Sequence, residues 1–390
     1  MPAMSALSGT TVLELSRVLA GPWCGMVLAD LGADVIKLES FDGDDTRGLG
    51  PPFLADGLSA YFACCNRNKR SLAIDLRAPT ARPLLEALVR EADVLVENYR
   101  TGGAETLGVG YEALAAINPR LVYCSISGYG RDGPGAQLPG YDYVVQAEAG
   151  LMSITGTTDG EPSKVGVAVA DLATGQNAAT AILAALLQRQ RTGRGQRIDV
   201  SLFDSQLALL ANVASNVLFT GADAARYGNA HASIVPYQAF HARDGAFVLA
   251  VASEKLWIQT CTALARPDWL RDPRFLNNAA RVQHRDVLCA ELEAVFATED
   301  AAHWLQLFAA AGVPAAPINR VQQALDQPVA MARGMRVEID GVPMVGSPLR
   351  LAASPPRLER APPKLGEHSD EIAAAHGFDP ARLRQEGAIR

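Results

Sequence analysis

The sequence predicts an α/β fold: a large domain on a parallel sheet and a smaller α+β domain. Three observations point there. Short apolar runs with strand character alternate with segments of helical apolar spacing through the first half, the pattern of βαβ units. Polar and glycine-rich stretches follow those runs, at the strand ends where parallel sheets bind ligands. From residue 226 the texture changes to two strand-like runs around an Arg-Asp-Gly turn, followed by helices.

Residues 11–16 (TVLELS) form the first strand, and a helix begins near Pro22, a residue suited to a first helical turn. Residues 34–39 (DVIKLE) are the second strand and 71–76 (SLAIDL) the third. Within 78–92, Leu84, Leu85, Leu88 and Val89 line one helical face. Residues 93–98 (DVLVEN) and 120–130 (RLVYCSISGYG) are two more strands. A helix runs over 172–190 and stops at TGRGQ. A short strand (QRIDVSL) and one helix over 202–219 complete this part. Residues 1–225 are thus the first part of the large domain, 226–313 the small domain, and 314–390 a return segment.

A chain of 390 residues, 49% apolar and 20% charged, can bury a sizeable core. No apolar run reaches the ~18 residues of a membrane span, and the N-terminus lacks a signal peptide, so a cytoplasmic protein is expected. High Ala and Arg usage points to a GC-rich bacterial genome. The net charge of −7, without a Lys/Arg stripe, argues against nucleic acid. The six cysteines form no C-x-x-C pair and no His cluster has ligand spacing, so no metal is expected. There is no G-x-S-x-G, no Walker A and no G-x-G-x-x-G after the first strand.

The stretch VAVADLATGQ (167–176) puts Asp171 between an apolar run and a helix of small residues. Taken locally, Asp171 is a helix N-cap, the ordinary role of Asp at such a place.

Seven stretches in order give the chain a resemblance to the class III CoA-transferases, the formyl-CoA:oxalate type. They are VLELSRVLAGPWCGMVLADLGADVIKLE, NRNKRSLAIDL, ADVLVENYRTGG, SGYGRDGPGAQLPGYDYVVQA, VADLATG, TGRGQRIDVSL and LGEHSDEI, spread over about residues 6–376. The resemblance implies a Rossmann-like large domain built from both chain ends and an interlocked homodimer, with CoA between the domains. It also implies that Asp171 is the catalytic nucleophile, forming anhydride and aspartyl-CoA thioester intermediates. A helix start beside it would keep the carboxylate ionised and offer backbone N–H groups to an oxyanion.

The implied CoA contacts are Val18, Leu19 and Ala20; Ile74, Asp75 and Arg77; Asn98, Tyr99 and Arg100; Leu107; and Tyr141 with Asp142. Leu19 and Ser40 depart from the polar and basic residues of the oxalate enzymes, and the family's glycine run in the small domain is missing. The segment RYGNAHASIVPYQAF (226–240) is similar to the succinyl-CoA-dependent dicarboxylate transferases that act on hydroxymethylglutarate and glutarate. A distal carboxylate needs a cation or several donors, and Arg17, Arg47, Arg226, His231 and Ser233 are the candidates. Two alternatives stand beside this reading. One is a 2-methylacyl-CoA racemase, which lacks its His here because Tyr141 occupies that place. The other is a CoA-binding protein without turnover.

Overall fold

The computed structural model describes residues 5–390. They fall into two compact units: the chain through Leu151 with Lys164–Ala222 and Pro328–Arg390, and Met152–Ser163 with Asp223–Gln327.

The first unit contains a six-stranded sheet in the order β3-β2-β1-β4-β5-β6, all parallel. The strands are β1 (Thr11–Glu14), β2 (Asp34–Glu39), β3 (Lys69–Ala73), β4 (Val94–Glu97), β5 (Val122–Ser127) and β6 (Arg197–Ser201). The central strands β1, β4 and β5 are buried on both faces and read as near-continuous apolar runs, whereas the edge strand β6 alternates. Leu13, Ile36, Leu72, Leu95 and Tyr123 face one core with the helix Arg82–Glu91 and the C-terminal Ile372 and Leu383. Val12, Val35, Val94, Val96 and Cys124 face the other core, which helices α1 (Ala20–Asp30) and α2 (Val169–Thr192) cover.

The third strand lies two residues earlier than its apolar composition suggests. Its ladder runs from Val35↔Lys69 to Glu39↔Ala73, and the next residue, Ile74, bridges Ile389 at the chain end. The charge that obscured this start is neutralised inside: Lys69 is fully buried against Glu14, 2.7 Å away. The helix expected over 202–219 is two helices, Leu202–Leu209 and Ala211–Thr220, bent by 76°. The break falls at Ala211, whose φ of +44° is left-handed.

The second unit holds an antiparallel sheet in which Gly245–Ala250 pairs with both Tyr237–Ala242 and Ala315–Pro317. That last strand keeps the chain in this unit through Gln327, beyond the expected return at 314. Its core is aromatic: Phe296 makes edge contacts with Phe240, Phe247, Phe308 and Trp304. Among the described residues no single helix is long and apolar enough to cross a membrane.

Candidate active site

The strand order reverses between β1 and β4, whose carboxyl ends open beside each other, the usual ligand site of a doubly wound sheet. The two loops there are tied together. Arg17 N–H donates to Asn98 Oδ1 at 2.9 Å, and Asn98 Nδ2 donates to Arg17 O at 2.8 Å. Asn98 is therefore a loop fastener. Tyr99 N–H donates to Glu97 Oε2 at 2.8 Å, and Arg131 Nη1 to Tyr99 O at 2.6 Å. Burial pushes the Tyr99 phenol above its ordinary range. Arg100 is exposed.

The β1 loop carries Val18 at φ +71° and half-exposed, while Leu19 and Ala20 are buried under it. A β-branched residue in the left-handed region stores strain of about 1–3 kcal/mol, a feature that clusters at functional sites. A charge cluster lies beneath. Lys37 Nζ is 2.9 Å from Glu14 Oε1 and 3.0 Å from Asp44 Oδ2, and it donates to Ser16 O at 2.9 Å. Gly25 makes room for it: a Cβ there would lie 1.9 Å from Glu14 Oε2.

Asp171 is the third residue of α2, so it is not the N-cap. The helix starts two residues before it, and Asp142 does the capping. Asp142 Oδ1 accepts from Ala170 N–H at 2.8 Å and from Asp171 N–H at 3.4 Å, while Gln146 Nε2 donates to Oδ2 at 2.6 Å. The other first-turn donors are used as well: Val169 N–H reaches Val167 O and Leu172 N–H reaches Ala168 O. The expected N–H support for an oxyanion at this helix start is thus already spent on the protein.

The Asp171 carboxylate is partly buried, and among the described residues no hydrogen bond reaches it. Burial, and then the charge of Asp142, push its pKa up to about 7. The expected fully ionised aspartate is therefore corrected to one that titrates near neutrality, because burial outweighs the helix start. Below, Gly175 lets α2 approach α1, since a Cβ there would lie 2.5 Å from Ala20 O. Asp171 lies one helical turn before Gly175 on the same helix. Tyr61 also belongs here. Burial and then Asp171 push its phenol up to about 12, so it stays a donor. Sequence reasoning missed it because the segment after the Gly-Pro-Pro turn has no periodic pattern.

Tyr141 is 63% exposed at the head of the helix Asp142–Glu148. Ile74 is a core residue, 1% exposed, and its N–H is bonded to Glu39 O. Asp75 Oδ1 accepts from the Arg77 N–H at 2.9 Å, and Arg77 is exposed. Leu107 packs on the core.

Arg47 is committed elsewhere. It grips Glu39 at 2.8 and 2.7 Å, donates to Pro363 O at 2.9 Å and stacks on Phe62. Arg17 remains half-exposed, 3.5 Å from Asp45. Arg226, His231 and Ser233 belong to the second unit. Arg226 fastens the carbonyls of Ser153, Thr157 and Gly160. His231 Nδ1 accepts from Ser233 N–H at 3.0 Å, and its ring packs against Tyr237. No group of three or more His, Cys, Asp or Glu with a metal-holding arrangement occurs among the described residues.

Residues 7–369 match CoA-transferase family III. Over 384 residues the chain is 44% identical to the succinate–glutarate CoA-transferase of Agrobacterium fabrum, covering 94% of this chain and 95% of that protein. It is 42% identical to the succinyl-CoA:glutarate CoA-transferase of Mus musculus, over 95% of this chain and 86% of that one. The crystal structure of a CAIB/BAIF family protein from Brucella suis matches with a TM-score of 0.86 at 45% identity, covering 96% of this chain and all of that one.

Proposed function

Since the chain belongs to CoA-transferase family III, we propose that it carries CoA from succinyl-CoA to a small dicarboxylate, glutarate first, with Asp171 as the nucleophile. The observation behind the role of Asp171 is its carboxylate: partly buried, without a hydrogen-bond donor among the described residues, and close enough to Asp142 and Tyr61 for their charges to interact. A poorly solvated, unpaired carboxylate is a stronger nucleophile than one in water. The named activities of the two transferases support the choice of donor and acceptor.

The steps balance without a co-reactant. An Asp171 oxygen attacks the succinyl thioester carbon, the C–S bond breaks, and CoA thiolate leaves a mixed anhydride. The thiolate attacks the Asp171 acyl carbon, releasing succinate and forming an aspartyl-CoA thioester. The acceptor carboxylate displaces the thiolate from that thioester, giving a second anhydride. The thiolate then attacks the acceptor's acyl carbon, and Asp171 is regenerated as a carboxylate. Val18 to Ala20, Asn98 to Arg100 and Tyr141 are the proposed CoA-side residues, with Arg17 as the distal-carboxylate cation from the first unit. Tyr61 supplies a phenol donor beside Asp171.

Purified protein with succinyl-CoA and a pool of dicarboxylates is expected to yield a new CoA thioester, whose mass names the acceptor. Unchanged succinyl-CoA with every acid would exclude this donor.

The active form is proposed to be an interlocked homodimer. The helix Ala211–Thr220 has no buried residue, with Leu218 and Phe219 82% and 90% exposed. Apolar exposure of that kind marks an interface. Light scattering is expected to give twice the chain mass, and a monomer mass would remove the dimer.

A further inference from the structure

The loop between β1 and α1 is held by side chains from three other segments. Ser16 O takes the Lys37 ammonium, and Arg17 is bonded at both N–H and C=O to Asn98. The left-handed Val18 points its N–H between the two Asp44 oxygens, at 3.2 and 3.3 Å. Its C=O lies 3.7 Å from Cys65 Sγ.

Asp44 is 1% exposed. Besides Val18 it takes Lys37 Nζ at 3.0 Å, Thr46 N–H at 3.0 Å and Thr46 Oγ1 at 2.7 Å. Asp44 N–H donates in turn to Glu39 Oε1 at 3.0 Å, and Glu39 is clamped by Arg47. The carboxylate thus has no freedom to follow the loop; the loop must come to it. Strain at a residue persists where its surroundings over-determine it, and here Asp44 supplies the grip on the strained N–H itself.

We propose that Asp44 is a positioning residue of the transfer reaction. It holds Val18 left-handed and so presents the Val18–Ala20 loop to the thioester end of the acyl-CoA. This rests on the reading above that the loop meets the substrate. Asp44 does not touch substrate, because it is buried beneath the loop. Its other contacts, to Lys37 and Thr46, would also suit a purely structural role, and the test separates the two.

Asp44→Asn is expected to lower kcat/KM for succinyl-CoA roughly 10- to 100-fold, the penalty for misplacing a contact by about an ångström. Adding Val18→Gly to that variant is expected to recover at least about 5-fold, since glycine adopts positive φ without strain. A purely structural Asp44 predicts no recovery, because the glycine only adds backbone freedom to an already weakened chain. If Asp44→Asn does not fold, Asp44→Glu carries the same comparison; it keeps a partner for Lys37 and moves the carboxylate relative to the Val18 N–H.

The grip is also read without turnover. Hydrogen exchange of the Val18 amide is expected to be roughly 10-fold faster in Asp44→Asn than in the wild type. An unchanged exchange rate, or a loss of activity that Val18→Gly does not recover, overturns the inference. Wild-type protein that transfers no CoA defeats the functional reading instead, and the exchange rate still decides whether Asp44 holds the loop.

Discussion

Asp171→Asn is expected to lower kcat for CoA transfer by roughly 10⁴-fold or more while making the protein more stable at pH 8. The amide cannot form the anhydride, so the two-step route through the enzyme closes. The stability gain follows from the same environment that makes the group useful. Asp171 has its folded pKa raised to about 7 by burial and by Asp142. The folded protein therefore holds this proton more tightly than the unfolded chain does. Between about pH 4 and 7 the unfolded state releases it first, so stability falls as pH rises, and the full cost is reached above 7.

The neutral amide escapes that cost. Its advantage is absent at pH 4, grows through the window, and reaches on the order of 2 kcal/mol at pH 8, after allowance for the partly exposed position. Urea unfolding of both proteins at pH 5 and pH 8 measures it. For wild type the acid limb of kcat/KM is expected near pH 7, since free enzyme must lose this proton to attack. An acid limb at pH 4 would show an ordinary, solvated aspartate and remove the burial argument. Transfer by Asp171→Asn at the wild-type rate would remove Asp171 as nucleophile.

Lys37→Met is expected to be the most damaging change away from the reacting groups, costing about 3–5 kcal/mol of stability. Lys37, Glu14 and Lys69 are all fully buried. Burial alone pushes the Lys37 ammonium down, but Glu14, Asp44 and Glu39 outweigh it and hold the group above its ordinary range. Taking the ammonium away leaves Glu14 with Lys69 and Asp44 with Thr46 and Val18 as partners. Two buried carboxylates then share less cation than they need. A raised lysine pKa contributes fully below its unfolded value, so the loss is level across pH 6–9. It shrinks in acid, where the carboxylates take up protons. Thermal unfolding at pH 7 measures the loss. A Tm within a degree of wild type would mean that the carboxylates find water or each other, contrary to their burial.

The parallel sheet and the layered packing were legible because apolar composition is a local signal. Val12-Leu13, Val35-Ile36 and Val94-Leu95-Val96 announce strands buried on both faces, and the structure divides each run between the two cores. The region of the site was legible too, because loops of doubly wound sheets open at strand ends. Single roles were less so. Taken locally Asp171 read as a cap, beside the nucleophile role that the family resemblance implied, yet the cap is Asp142, 29 residues earlier. Arg47 read as a free cation near the substrate, yet Glu39 and Phe62 hold it. Tyr61 and Asp44 carried no signal at all.

The sequence by itself determined the class of fold and the place of most strands along the chain, and it singled out Asp171 as the candidate nucleophile. Periodicity and β propensity depend on neighbours a few residues apart, and seven ordered motifs depend on nothing but the chain. Tertiary structure alone decided which charges are buried and what they grip. It also decided that Lys69 and Arg70 begin a strand, and that the aspartate titrates near 7. The energy of a buried charge depends on partners that folding brings together from distant segments. Glu14, Lys37 with Asp44, and Lys69 lie on three separate stretches of chain, and no short window of sequence contains their sum.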